Sequence, residues 1–190
     1  MANLKIGLAG NPNVGKTTLF NNLTGLNQHV GNWPGKTVEK AEGHYNYNNN
    51  RVDVIDLPGN YALSAHSMEE IVARDFIVDD DSDVIVNAVD AANLERNLYL
   101  TVQMMELGAN LVMALNMNDF AKKKEHMIDI DLMSELLGVP VIEINAKTKD
   151  GFEELLATVE RQSKNPIDSS EKLSYGNDIK GHLMDLQSVI

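Results

Sequence analysis

The sequence predicts an α/β domain: a mostly parallel six-stranded sheet with helices on both faces and one antiparallel hairpin strand. Three observations predict it. Apolar runs of strand length alternate with helical patterns from Leu4 to about Arg161, as β-α-β units do. One pair of runs breaks the alternation: Val38 to Tyr47 and Val52 to Ile55 are joined by Asn48-Asn49-Asn50 and read as an antiparallel hairpin. The first strand runs into a glycine-bearing loop, Gly10-Asn11-Pro12-Asn13-Val14-Gly15-Lys16-Thr17, that opens a helix.

Taken in order, Leu4 to Ala9 is the first strand, and the helix entered through Thr18-Leu19-Phe20 ends near Gly25. Leu26 to Thr37 has little periodicity and several glycine and proline breakers, so it reads as a mobile loop. Ser67 to Asp79 carries apolar residues at helical spacing, with Ser67 and Glu70 spaced as a capping box. Val84 to Val89 and Leu111 to Leu115 are buried-type strands flanking a helix from Leu94 to Leu107 that Gly108 closes. Asp131 to Leu137 is a helix ended by Gly138, Pro140 to Ile144 is the last strand, and Asp150 caps a final helix through about Arg161.

At 190 residues and 43% hydrophobic content the chain suits one domain, assigned to residues 1–162. Ser163 to Ser174 is polar and reads as a linker (163–174). Ile179, Leu183, Leu186 and Ile190 then recur at helical spacing, so 175–190 is expected to be the truncated start of a helical domain. The absence of cysteine removes disulfides and thiolate metal sites. A strand begins almost at once in place of a signal peptide, and no apolar run is long enough to span a bilayer, so this fragment is expected to be soluble. A net charge of −12 repels nucleic acid, and Lys122-Lys123-Lys124, the one basic run, reads as a solvated loop. His29, His44, His66, His126 and His182 lack metal-ligand spacing.

Gly10 to Thr17 is a complete G-x-x-x-x-G-K-[ST] loop in its required strand-loop-helix context. Its backbone N–H groups from Asn13 to Thr17 are expected to cradle a β-phosphate, with Lys16 reaching β- and γ-oxygens and Thr17 on magnesium. Thr37 is the one Ser or Thr of the loop that follows, placed to supply a second magnesium ligand and to close on a γ-phosphate. Asp56-Leu57-Pro58-Gly59 puts a carboxylate at a strand end, for magnesium through water, and a glycine N–H for the γ-phosphate. Asn116-Met117-Asn118-Asp119 stands where a guanine pocket belongs, with Asp119 accepting from the ring and exocyclic N–H groups. Asn145-Ala146-Lys147 follows the last strand, with the Ala146 N–H directed at the guanine oxygen.

Together these five elements resemble a Ras-like P-loop GTPase. The stretch Val30-Gly31-Asn32-Trp33-Pro34-Gly35-Lys36-Thr37-Val38-Glu39, with the phosphate loop, Asp56 to Gly59 and Ile71-Val72-Ala73-Arg74-Asp75, is similar to the amino-terminal domain of the ferrous iron transport protein B family, over roughly residues 3 to 160. The resemblance implies GTP and GDP as ligands, with Thr18 and the Gly35 to Glu39 segment added to the nucleotide contacts. It implies magnesium-dependent hydrolysis in which Asn13, Lys16, Thr37 and Gly59 act, and stimulation by a potassium ion that Asn13 helps to bind. It further implies downstream helical and transmembrane iron-transport regions as partners, at the cytoplasmic face of the cell membrane, and leaves homo-oligomerisation open. Two residues depart from the usual pattern: Met117 replaces the lysine of N-K-x-D, and Asn60 follows Gly59 where Ras-like enzymes carry a water-positioning glutamine. Asn60 is one methylene shorter than that glutamine, which makes slow intrinsic hydrolysis the expectation. A potassium-activated GTPase of the ribosome or transfer RNA is the rival class, and its expected basic surface is missing.

Overall fold

The computed structural model describes residues 4–79, 81–117 and 127–167, with Ser170 and Leu173. Asn118, Asp119, the lysine run and the helical pattern after 174 lie outside the described residues. The elements are β1 (Leu4–Gly10), α1 (Lys16–Thr24), β2 (Gln28–Asn32), β3 (Glu39–Tyr47), β4 (Asn50–Asp56), α2 (Met68–Val78), β5 (Val84–Asp90), α3 (Leu94–Glu106), β6 (Leu111–Asn116), α4 (Ile130–Leu137), β7 (Val141–Glu143) and α5 (Phe152–Lys164).

Among the described residues the sheet has seven strands in the order β2-β3-β4-β1-β5-β6-β7. β1 pairs in parallel with β4 and β5, and β6 joins β5 to β7 in parallel. β3 pairs antiparallel with both β4 and β2, so it alone runs against the other strands. The seventh strand corrects the expected count of six. Gln28–Asn32 reads as a loop because it offers one apolar residue and no alternation, yet it pairs from Gln28↔Gly43 to Asn32↔Glu39. Main-chain ladder bonds hold it, and these leave no trace in side-chain periodicity.

Each face of the sheet is covered, as alternating inward side chains require. Ile6, Leu8, Val54, Val86 and Val112 meet Leu19 and Phe20 of α1 and Leu155 and Val159 of α5. The opposite face packs Ile55, Ile85 and Leu111 on Ala73 and Phe76 of α2 and on Leu100 and Met104 of α3. Ser67 caps α2 as expected, its hydroxyl accepting from the Glu70 N–H at 3.1 Å. The Glu70 carboxylate returns one residue earlier than a capping box does, accepting from the His66 N–H at 3.0 Å and from the Ser64 hydroxyl at 2.9 Å. Those bonds hold its pKa below the ordinary value, the His66 N–H foremost.

The start of α5 also differs from expectation. Gly151, at φ 77, stands at the N-cap in place of Asp150. A β-carbon there would lie 2.1 Å from the Glu143 carbonyl oxygen, so the chain turns from β7 into α5 at the one residue with no side chain. The Asp150 carbonyl instead accepts from the Asn145 N–H at 3.0 Å, closing the loop that holds Ala146. Because the parallel strands share one direction, the loops after β1, β4, β6 and β7 gather at one edge of the sheet.

Candidate functional site

In the loop after β1, Asn13 has φ 65 and Gly15 φ 90, with Val14 between them. Left-handed residues in such a run turn successive N–H groups inward and form an anion-binding concavity at the positive end of α1. At Gly15 space is as decisive as φ: a β-carbon would stand 2.3 Å from Nδ2 of Asn116.

Lys16 reaches from the first turn of α1 to the end of β4. Its ammonium donates to Oδ1 of Asp56, as an ion pair, and to the Leu57 carbonyl at 2.6 Å. Burial pushes the Asp56 carboxyl above its ordinary pKa and Glu39 adds to this, while the Lys16 charge and hydrogen bond pull it back. Lysine and aspartate are therefore each other's counter-charge at the floor of the site, and both side chains are largely buried, at 11% and 15% exposure.

Asn116 ends β6 and ties two loops together. Its Nδ2 donates to the Val14 carbonyl at 2.9 Å, and its Oδ1 accepts from the Ala146 N–H at 3.1 Å. The Ala146 carbonyl accepts from Nδ2 of Asn22 on α1 at 2.7 Å. Asn145 shapes the same loop: its Oδ1 accepts from the N–H groups of Lys147 at 3.0 Å and Thr148 at 3.3 Å. An asparagine suits this position because its side chain can cap a turn. The role of Asn22 is not legible in the sequence, where a helical asparagine seven residues past Gly15 carries no motif.

Asn11 to Asn13, Gly15 to Thr18, Gly59 and Met117 line one cavity of about 540 Å³. Met117 has φ 62, a left-handed turn that carries the chain off β6 at the cavity wall. Lys16, Thr17 and Gly59 thus share one cavity, with Asp56 one ion pair away. Gly35, Lys36, Thr37, Val38 and Glu39 are not among the described residues that line it. The family model of ferrous iron transport protein B matches residues 4–159. The chain belongs to the ferrous iron transport protein B family. It is 47% identical over 179 residues to the Fe(2+) transporter FeoB of Salmonella typhimurium, with 92% of this chain aligned to 23% of that protein. The chain therefore spans about a quarter of the length of the curated relatives it matches. The FeoB G domain of Methanococcus jannaschii superposes with a TM-score of 0.77 at 47% identity, covering 87% of this chain and all of that one. The cytosolic domain of the T. maritima FeoB iron transporter in a GDP form gives 0.90 at 37% identity, over 98% of this chain and 74% of that one. The fold is accordingly that of a Ras-like G domain.

In this FeoB-family G domain the segment between α1 and β3 is anchored, not loose. Trp33 packs edge-on against Phe76 of α2 at 5.8 Å between ring centres, with the Lys40 ammonium 5.3 Å above its ring. The Trp33 N–H donates to the Val38 carbonyl at 2.9 Å, and Lys36 pairs with Asp75 at 3.1 Å. Thr37 is exposed within that turn. Neither the aromatic contact nor the Lys36 pair is visible in the sequence, because each joins residues about 40 apart. Asn60 is likewise engaged: it is 6% exposed and donates from Nδ2 to the Glu69 carbonyl at 3.1 Å. Among the described residues no helix is long and apolar enough to cross a membrane.

Proposed function

We propose that this domain binds GTP and GDP with magnesium, hydrolyses GTP slowly with help from potassium, and regulates or drives ferrous iron uptake. The transport itself belongs to membrane regions elsewhere in the same protein, which would place this domain at the cytoplasmic face. The observation that carries the reading is the largely buried Lys16–Asp56 pair beneath the phosphate loop, a loop that Asn116 holds through the Val14 carbonyl. Nucleotide phosphates would take Lys16 for themselves and leave Asp56 for the cation. The oxygen donors Thr17 and Asp56 suit magnesium, a hard ion that keeps several waters, and Thr37 would add a third donor. Magnesium supplies charge neutralisation between the β- and γ-phosphates. Asp119 remains the proposed reader of guanine, with Met117 along the base and the Ala146 N–H on its oxygen. GTP and GDP should displace a labelled guanine nucleotide from the chain, and ATP at the same concentration should not. Equal displacement by ATP would refute the guanine pocket.

Movement of Thr37 can be followed through Trp33, the one tryptophan in the chain. For Thr37 to reach magnesium the turn must leave Phe76 and Asp75, so the indole exchanges a packed, cation-facing setting for a new one. A non-hydrolysable GTP analogue with magnesium should change the tryptophan emission strongly, and GDP should change it little. Identical emission in both states would mean that switching lies outside this loop.

A further inference from the structure

Asn11, the first variable position of the phosphate loop, is 2% exposed, and neither Nδ2 nor Oδ1 has a hydrogen-bond partner among the described residues. The other buried asparagines around the site are all paired. Asn87 donates to the Thr101 hydroxyl at 2.8 Å, Asn97 donates to the Asn93 carbonyl at 2.8 Å, and Asn60 and Asn116 are bonded as described. A buried amide with both ends unpaired is costly, and the loop motif allows any residue here, alanine included. Such a group is satisfied only if another state brings it a partner.

The segment able to supply that partner already lies over the loop. A β-carbon on Gly59 would stand 3.5 Å from both Cα and N of Pro12. The Asn60 N–H donates to the Gly10 carbonyl at 3.3 Å, longer than the 3.0 Å bond from the Leu57 N–H to Leu8 just before it. Gly59 and Asn60 thus rest on the two neighbours of Asn11, held by a long bond that a small shift breaks. Asn11 and Gly59 also line the same cavity.

We propose that Asn11 is a positioning residue for the triphosphate state. When a γ-phosphate draws in the Gly59 N–H, the Gly59 to Tyr61 backbone slides off Gly10 and pairs with the Asn11 amide. An asparagine serves because it can accept a backbone N–H and donate to a carbonyl at once. GDP lacks the group that pulls Gly59 inward, so the pairing favours GTP over GDP. This inference rests on the GTPase reading above.

Asn11→Leu keeps the branched skeleton without hydrogen-bonding atoms, at the cost of two bulkier methyl groups, and Asn11→Ala removes the side chain without adding volume. The affinities of a non-hydrolysable GTP analogue and of GDP, with magnesium, are measured for both variants and the unmutated chain, together with the nucleotide-free melting temperature. Both variants should lower the ratio of analogue to GDP affinity about tenfold. Asn11→Ala should melt within a few degrees of the unmutated chain, because it removes two unpaired buried groups and adds no volume, and the melting temperature of Asn11→Leu reads the packing cost of the larger side chain separately. A ratio changed less than threefold in Asn11→Leu would overturn the proposal and leave Asn11 a space-filling residue. If the unmutated chain bound neither nucleotide, the GTPase reading would fail and this inference with it.

Discussion

Asn116→Ala is expected to be among the most damaging single changes in the domain, lowering stability by roughly 2–4 kcal/mol and GDP affinity by about a hundredfold. The side chain is 5% exposed and holds the Val14 carbonyl and the Ala146 N–H at its two ends. Truncation leaves both groups buried without a partner, each at a cost of about 1–3 kcal/mol. The phosphate loop and the loop after β7 would lose their common tie, and these are the loops proposed to meet the two ends of the nucleotide. Asn22→Ala removes a single bond to Ala146 at a half-exposed position, so it should cost only about 1 kcal/mol. In a domain of this length the larger loss corresponds to a melting temperature lower by about 5–15 °C. Thermal melts of both variants with a GDP titration would check it. If Asn116→Ala melted like the unmutated chain and kept its GDP affinity, the tie would have no energetic weight.

Much of this architecture is legible in the sequence because its signals are local. The strand-loop-helix around Gly10 to Thr17 needs only an apolar run, two glycines and a helix pattern, and β1 and α1 lie where that pattern puts them. The hairpin at Asn48-Asn49 follows from turn chemistry, both asparagines adopting positive φ, 48 and 61. What escapes is non-local. β2 is a strand because its backbone finds the edge of β3, and Asn116 matters because sheet order brings it beneath Gly15. Gly151 displaces Asp150 as the start of α5 because the Glu143 carbonyl leaves no room for a side chain, a fact of tertiary contact. Asn60 reads in sequence as a shortened glutamine; the structure shows it already bonded to Glu69, a sharper reason to expect slow unaided hydrolysis.

GTP turnover is expected to rise about tenfold when sodium chloride is replaced by potassium chloride at equal ionic strength, and Asn13→Ala should abolish the difference. Charge that builds on the β–γ bridging oxygen needs a positive neighbour, and the chain offers no arginine for the task. Its four arginines are occupied: Arg51 pairs with Asp53 at 2.7 Å, Arg74 lies 3.9 Å from Asp75, Arg96 covers the Tyr61 ring at 4.0 Å, and Arg161 donates to Thr158 at 3.2 Å. Lys16 approaches from the Asp56 side. Asn13 is different: it is exposed at the cavity, its φ of 65 swings it clear of α1, and no hydrogen bond engages its side chain among the described residues. Its Oδ1 is free to hold a weakly hydrated monovalent cation against the phosphates, with carbonyls near Gly31 to Trp33 completing the cage once the turn leaves Phe76. Potassium would supply there the positive charge that an arginine supplies elsewhere, and 1.4 kcal/mol off the barrier is a factor of about ten. GDP affinity should fall far less than turnover in Asn13→Ala, since backbone N–H groups would carry most of the phosphate contact. Phosphate release measured in the two salts checks this directly, and equal rates for the unmutated chain would reduce Asn13 to a residue that shapes the loop.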